Sequence, residues 1–359
     1  MKYKYGVHYA AWGSEWDVDI KERIRLAAAA GFEDLEVTPP DYVPAMDIDK
    51  MNELKKCAED HGIEMSWCIG FPKEYDMASE DPSVRRRGIE YTKNMLEAIH
   101  MLDGKILSGI LYSSWPYDFR NLPDKERTWE LALSSVKECV KTAQDYGIIY
   151  AIEMVNRFEQ FVLNSVEEGL TFIGQVGSPC CRLLLDMFHM GIEETSTPDA
   201  IRRAGKSLAH LHVCQNNRQI PAPCDNVPWD AVGQAVNDIG YEGRIVMEPF
   251  VIKGGPVGRD VNIWRNLMDD VSQEHISEEL TKGAFIISRV SSGKKQEESY
   301  GLYFGNRPWN SSVKSMLLDE TAGVVKTASR AYAVSIPKPG FAEQDPETWW
   351  AGCKQTIRN

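Results

Sequence analysis

The sequence predicts an α/β protein, a (β/α)8 TIM barrel with a short C-terminal α+β appendage. Short apolar segments alternate with longer segments of helical periodicity from the first residues to about residue 270. The apolar segments are almost continuous, as in Leu183-Leu184-Leu185, which is typical of parallel strands buried on both faces. Eight such strand–helix repeats can be counted, and eight is the number that closes this barrel.

The predicted elements begin and end at recognisable signals. Pro39-Pro40 stop the second strand, and Gly147 closes the fourth helix. The predicted strands are residues 5–10, 34–38, 64–69, 106–112, 148–153, 182–186, 209–213 and 244–248. The predicted helices are residues 19–30, 48–60, 82–102, 125–146, 166–176, 198–204, 229–239 and 261–271. Together they assign residues 1–290 to the barrel.

The remainder of the chain has a different character. Residues 291–300 are polar and aperiodic, which is typical of a linker. Beyond them, residues 312–319 and 323–334 are predicted as strands and residues 346–357 as a short helix. A segment of this size, residues 301–359, is marginal as an independent core.

The amino-acid composition disfavours nucleic acids and membranes as partners of the protein. The net charge of −13 disfavours nucleic acid as a partner, because a polyanion requires a concentrated basic face. We expect no membrane interaction, since no apolar run approaches the roughly 18 residues of a spanning helix. The eight cysteines lack metal-type spacing and no secretory leader precedes Met1, a pattern that suits reduced thiols in the cytoplasm.

Four consecutive predicted strands end in side chains that can ligate a metal. They are Glu153, Asp186, His212 and Glu248, separated by 33, 26 and 36 positions, about one strand–helix unit each. In a closed barrel the carboxyl ends of the strands share one rim, where such folds place their chemistry. Taken singly, each residue could be a surface charge or a helix cap, and Asp186 is well placed to cap the next helix.

The types of ligand indicate which ion the rim would bind. Two glutamates, one aspartate and one histidine form an oxygen-rich set, which favours Mn²⁺, Co²⁺ or Mg²⁺ over a structural zinc. Three carboxylates close together resist joint ionisation unless a cation is present. We therefore expect one divalent ion at this rim.

Residues 1 to about 290 resemble the ketose 3-epimerases, the family of D-tagatose 3-epimerase and D-allulose (D-psicose) 3-epimerase. The matching stretches are WCIG at 67–70, EMVNRFE at 153–159, DMFH at 186–189, HVCQNNR at 212–218 and EPF at 248–250. The resemblance implies that the four rim residues hold the metal and that the protein is a homo-oligomer, a dimer or a tetramer. It further implies a substrate site in which three residues hydrogen-bond a free ketose and four line the pocket: Glu159, His189 and Arg218, and then Tyr9, Cys68, Trp115 and Phe250.

The chemistry of epimerisation agrees with these residue types. Inverting carbon 3 beside a ketone requires removing a proton from one face and returning it to the other. A metal can act as a Lewis acid that stabilises the enediolate, while two carboxylates serve as base and acid. We expect Glu153 and Glu248 to exchange the proton while Asp186 and His212 mainly hold the ion.

Three alternatives remain open at this point. An aldose–ketose isomerase would use the same barrel and carboxylates but move the proton between carbons 1 and 2. A metal-dependent endonuclease of the same barrel group would need more histidines than the seven in this chain. The glycine-rich loop at residues 254–259, with Lys253 and Arg259, could bind a sugar phosphate, although a lid or hinge is the commoner role.

The tail resembles the beginning of a xylulokinase-type carbohydrate kinase. The resemblance lies in SSVKSMLLD at 311–319 and PKPGFAEQDPETWW at 337–350. The family places an aspartate on its first strand before a phosphate loop, and here Tyr303 stands at that position. Almost all of a kinase is missing, so we expect no phosphotransfer from this fragment.

Overall fold

The structure is a computed structural model that describes residues 3–120, 123–223 and 226–291, together with the short segments 301–306, 312–318, 324–331, 335–338 and 341–343. Eight parallel strands close into a barrel in sequence order, which confirms the predicted fold. The strands are β1 (Lys4–His8), β2 (Asp34–Val37), β3 (Glu64–Phe71), β4 (Ile106–Ser114), β5 (Ile149–Glu153), β6 (Cys181–Asp186), β7 (Leu208–Val213) and β8 (Arg244–Met247). Pairing of Lys4 with Arg244 and of Val7 with Met247 joins the last strand to the first.

Ten α-helices lie in the described residues. They are α1 (Ile20–Ala29), α2 (Ile48–His61), α3 (Pro82–Met101), α4 (Lys125–Asp145), α5 (Val166–Val176), α6 (Met187–Glu193), α7 (Thr197–Ala204), α8 (Trp229–Asp238), α9 (Gly255–Asp260) and α10 (Gln273–Ser291). None of them is long and apolar enough to cross a membrane.

Local sequence signals set the helix ends. Asp19, Asp47, Asp81 and Asp124 each accept a hydrogen bond from a backbone N–H of the first turn that would otherwise lack a partner. Ser165 and Glu168 form a reciprocal capping box at the start of α5. These caps explain why most helix starts agree with the sequence-based expectation.

The helix predicted at residues 261–271 is wrong. Asn262 has a positive φ of 61°, which no α-helix accommodates. The backbone instead folds back on the segment after β8, with hydrogen bonds from Ile263 N to Gly258 O and from Leu267 N to Val251 O. Val261 and Ile263 are buried by this irregular packing, so their apolar pattern reflects burial without a helix. The flanking helices α9 and α10, and α6 directly after β6, are absent from the prediction.

The C-terminal segments form two small sheets. Strands β9 (Gly301–Asn306), β10 (Ser312–Leu318) and β11 (Val324–Ala331) pair antiparallel in the order β11-β10-β9, and β12 (Ser335–Lys338) pairs with β13 (Phe341–Glu343). The two strands predicted in this region are confirmed with shorter bounds. The helix predicted at residues 346–357 lies outside the described residues.

Candidate active site at the carboxyl end of the barrel

The four residues predicted as metal ligands converge on the carboxyl rim of the barrel. Glu153 and Asp186 are the last residues of β5 and β6, His212 lies one residue before the end of β7, and Glu248 directly follows β8. The Nδ1 atom of His212 lies 4.0 Å from Glu153 Oε1 and 3.5 Å from Glu248 Oε2. All four side chains are buried.

The spacing of three of these four side chains fits a single small cation. One donor atom each from Glu153, Asp186 and His212 lies within 4.8 Å of the other two. Oxygen and nitrogen atoms about 2.0–2.2 Å from one ion are about 3–4.4 Å apart, so a shift of a few tenths of an ångström would bring these donors onto it. In addition, both ring nitrogens of His212 are buried, and neither has a hydrogen-bond partner among the described residues. The site therefore has the shape and the donors that a divalent ion requires.

Asp186 has two roles, one for each carboxylate oxygen. Oδ1 accepts a hydrogen bond of 2.8 Å from the backbone N–H of Phe188 and so caps α6. Oδ2 faces the site, where it accepts from Arg218 Nη1 at 2.7 Å. The cap on α6 is therefore present, and it leaves Oδ2 available to face the site.

Arg218 lies across the rim between two of the acids. Its Nη1 also donates to Glu248 Oε2 at 2.7 Å, and its guanidinium stacks 4.1 Å from the centre of the Phe188 ring. Arg218 has a positive φ of 67°, so the loop after β7 adopts an unusual backbone conformation to present it. This side chain is the positive charge that the structure places directly among the carboxylates.

A chain of hydrogen bonds fixes a second group of polar side chains in the site, which includes His189 and Glu159. The backbone N–H of Asn156 donates to His189 Nδ1 at 3.2 Å, so in the neutral ring the hydrogen resides on Nε2. Asn156 Nδ2 donates to Glu159 Oε1 at 2.8 Å, and Trp115 Nε1 donates to Glu159 Oε2 at 2.8 Å. Burial and the charge of Arg218 lower the pKa of His189 well below its usual value, which favours the neutral form.

The carboxylates differ in how readily they ionise in the metal-free protein. Burial, together with the neighbouring acids, raises the pKa of Glu153 well above its usual value. Burial also raises the pKa of Asp186, to about 6, although Arg218 opposes it. Burial acts in the same direction on Glu248, but the charges of His212 and Arg218 outweigh it and lower the pKa of Glu248. Glu153 is therefore the acid that most needs a cation in order to ionise.

The pocket above the ligands has a polar side and an apolar side. Six of the seven predicted substrate residues line it, namely Cys68, Trp115, Glu159, His189, Arg218 and Phe250, and Trp16, Ile69, Ile110 and Val261 complete the apolar side. Gly70 makes room for the Trp115 ring, because a Cβ there would lie 2.8 Å from it. The apolar side offers contact area but few hydrogen bonds to a bound molecule.

The seventh predicted residue, Tyr9, lies behind the pocket wall. Its ring packs on His8 and its hydroxyl donates to the backbone oxygen of Trp16 at 3.1 Å. His8 lines the pocket instead, with Nδ1 accepting a hydrogen bond from the backbone N–H of Ala10. The end of the strand separates the two residues, since His8 is the last residue of β1 and shares a face with Gly6, whereas Tyr9 begins a 3-10 helix.

The first and eighth loops above the barrel are joined. The backbone N–H of Val257 donates to Ser14 O, and Trp16 Nε1 donates to Asp260 Oδ2. Gly255 allows the close approach, because a Cβ there would lie 2.2 Å from Ser14 O. Arg259 is paired with Asp260, so these groups serve contacts within the protein, and the phosphate interpretation of this loop gains no support.

Comparisons with known proteins agree with this geometry. A family model described as a xylose isomerase-like TIM barrel matches residues 24–269, and the N-terminal domain of the FGGY family of carbohydrate kinases matches residues 310–359. The chain is 38% identical to a D-psicose 3-epimerase of Ruminiclostridium cellulolyticum, over 77% of this chain and 94% of that protein. It is 37% identical to a D-psicose 3-epimerase of Enterocloster bolteae, over 80% of this chain and 95% of that protein. The crystal structure of D-psicose 3-epimerase from Clostridium cellulolyticum H10 with D-tagatose superimposes with a TM-score of 0.78 at 36% identity, covering 80% of this chain and 99% of that one.

Proposed function

Because the chain belongs to the xylose isomerase-like TIM barrel family, and within it to the ketose 3-epimerases, we propose that it epimerises free ketoses at carbon 3 by passing a proton between Glu153 and Glu248. Pairs such as D-fructose and D-psicose, or D-tagatose and D-sorbose, are the substrates in view. The relatives named above are D-psicose 3-epimerases, which favours the first pair.

The arrangement of the two glutamates supports this scheme more than any other observation. They approach His212 Nδ1 from different strands, β5 and β8, and both line the pocket. A proton removed from one face of carbon 3 must be replaced from the other face if the configuration is to invert. Two carboxylates on separate walls of one pocket meet that requirement.

The residues present would hold one divalent cation between them, with Glu153, Asp186, His212 and Glu248 as ligands. Such an ion would supply Lewis-acid stabilisation of the negative charge that develops on the sugar when a proton leaves carbon 3. The oxygen-rich donor set favours Mn²⁺ or Co²⁺, with Mg²⁺ as a further candidate.

The polar wall of the pocket binds and orients the sugar in this proposal. His189 Nε2–H lies 3.6 Å from Glu153 Oε1 and can donate to a substrate oxygen beside that base. Glu159, held by Asn156 and Trp115, accepts from a hydroxyl. Since both positions are fixed by buried hydrogen bonds, the reacting carbon can be held without further ordering of the protein.

Product analysis in heavy water tests the reaction type. Metal-free protein reloaded with Mn²⁺ or Co²⁺ would be incubated with D-fructose, D-tagatose or L-ribulose in D₂O and the products resolved by NMR. A 3-epimerase places deuterium on carbon 3 of both ketoses and forms no aldose. Deuterium on carbon 1 of the ketose, with an aldose product, would identify an aldose–ketose isomerase and overturn the proposal.

A further inference from the structure

A second polar cluster lies beneath the rim, inside the barrel. Glu36 of β2 is fully buried, and its Oε1 lies 2.6 Å from Nε2 of His212. Its Oε2 lies 2.7 Å from Nε2 of His210 and accepts a hydrogen bond of 3.3 Å from Ser108 Oγ. Glu36 is not among the residues that line the pocket, and the epimerase scheme above leaves it without a role.

The position of Glu36 decides which nitrogen of His212 faces the rim. The short contact of 2.6 Å between the Glu36 carboxylate and Nε2 favours a hydrogen on that nitrogen, so when His212 binds an ion as a neutral ring the lone pair is on Nδ1. Nδ1 is the atom directed at Glu153 and Glu248. We propose that Glu36 is a positioning residue, which fixes the tautomer and ring orientation of His212 and thereby sets the affinity of the rim for its cation.

His210 keeps Glu36 itself in place. The two histidines, at i and i+2 of β7, both point into the barrel and bind the two oxygens of one carboxylate. With both oxygens engaged, the carboxylate cannot rotate without breaking one of these contacts. The ring of His212 is therefore held from below before any ion binds, which reduces the conformational cost of binding.

A second metal site is the competing interpretation of the same cluster. Donor atoms of Glu36, Cys68 and His212 lie within 4.8 Å of one another. However, two ligands about 2.1 Å from a shared ion stand about 3 Å apart or more, and Glu36 and His212 are separated by 2.6 Å. That distance is shorter than the separation of two ligands of one ion and leaves no place for an ion between the two side chains.

The inference rests on the proposed metal-dependent function, and metal affinity tests both separately. The dissociation constant for Co²⁺ and the number of ions per chain would be measured by competition with a chelating dye for the wild type, Glu36→Gln and Asp34→Asn. Asp34 is the matched control, because it is a fully buried carboxylate two residues earlier on the same strand, held by Ser66 and Arg244. Glutamine offers one acceptor oxygen instead of two and carries no charge, so it cannot satisfy both histidines as Glu36 does.

We expect one ion per chain in the wild type, a 10- to 100-fold weaker affinity in Glu36→Gln, and a change of less than about threefold in Asp34→Asn. Equal affinities in the wild type and Glu36→Gln, or equal losses in both variants, would overturn the positioning role. A second ion in the wild type that Glu36→Gln loses would show the cluster to be a metal site instead. If the wild type binds no ion, the proposed function itself fails.

A measurement on the wild-type protein tests the positioning role even if the Glu36→Gln variant does not fold. In the Zn²⁺-loaded wild type with ¹⁵N-labelled histidine, His212 should show a hydrogen on Nε2 and the ion on Nδ1. The opposite tautomer would refute the inference without any substitution.

Discussion

The two ends of the barrel interior both contain buried acids, but they balance charge in different ways. At the amino end, the first residues of four strands form a closed network, in which Arg244 binds Asp34 at 2.8 Å and Glu64 at 2.7 Å, and Lys4 binds Glu64. Two acids meet two bases there. The network is neutral without any ligand.

At the carboxyl end, the balance is incomplete. Glu153, Asp186 and Glu248 face one another with Arg218 as the cation in direct contact with two of them. The raised pKa values of Glu153 and Asp186 show that these two acids lack sufficient positive charge around them in the metal-free protein. The amino end therefore contributes to the stability of the barrel, whereas the carboxyl end has the unbalanced acids that the proposed cation would neutralise.

The largest expected effect is on activity, and it concerns the carboxyl end. Glu153→Gln and Glu248→Gln, each loaded with metal to one ion per chain, should lose about 10³-fold or more in kcat, since each removes a proton-transfer group and a ligand. In each variant, the remaining carboxylate should still exchange deuterium at carbon 3 of one epimer for solvent protons. The epimer that undergoes this exchange should differ between the two variants. Near-normal epimerisation in either variant would exclude the two-carboxylate scheme.

Removal of the metal should lower the stability of the folded protein, because the contacts of the ion at the carboxyl end are lost and those at the amino end are unchanged. At a hundredfold excess of ion over its Kd, binding stabilises the folded state by about 2.7 kcal/mol. Thermal scans with and without EDTA should therefore show a clear fall in Tm for the wild type and for Asp34→Asn. Asp186→Asn should respond much less, because it lacks a ligand. An equal response in all three proteins would place the ion elsewhere.

The affinity for the ion should rise with pH. The pKa values of Glu153 and Asp186 are raised in the metal-free protein, the latter to about 6, and both carboxyls must lose their protons to become ligands. Burial acts to lower the pKa of His212, but the nearby Glu36 and Glu248 outweigh it and raise that pKa, so this ring must also lose a proton. Calorimetric titrations with Co²⁺ between pH 6 and pH 8 should show tighter binding and fewer released protons at the higher pH. A flat profile would contradict the assignment of these two acids.

A substitution at the amino end of the barrel should change stability without changing catalysis. Arg244→Met leaves the buried carboxylate of Asp34 without its cation and should cost about 3 kcal/mol in the free energy of unfolding. Urea denaturation measures this loss, and kcat per folded molecule should stay within about twofold of the wild type. A large fall in kcat would show that the two ends are coupled.

The smallest effect should follow from removing the tail. A chain that stops after Val290 retains every residue assigned to the pocket and the rim, so epimerase activity should remain within about twofold. Product formation by the shortened and full-length proteins, compared at equal concentration, checks this. A severe loss would give the kinase-like segment a role that its resemblance does not suggest.

The residues at the rim could be predicted from the sequence, because short local patterns show where each strand ends. An apolar run that stops at a polar side chain, such as Leu183-Leu184-Leu185 before Asp186, shows where the strand ends and which group it presents. The barrel then brings successive strand ends together without further information. The fold and the convergence of the four rim side chains therefore follow from short-range patterns.

The supporting residues depend on closure of the barrel and are harder to predict. Glu36 meets His210 and His212 across the interior, from strands about 175 positions apart in the chain. The pairs Asp34 and Glu36, and His210 and His212, do carry a signal, because polar residues at i and i+2 of a buried strand share its inner face. Asn156 offers no comparable signal, since its contacts arise from an irregular loop.

The bond between Asp34 and Arg244 has a consequence for how the chain comes to be folded. The two residues are 210 positions apart, and bringing such distant segments together costs on the order of 5 kcal/mol of chain entropy. During synthesis, one edge of β1 remains unpaired until β8 has emerged from the ribosome. Nascent chains that stop before Arg244 should therefore depend on chaperones to avoid pairing with one another.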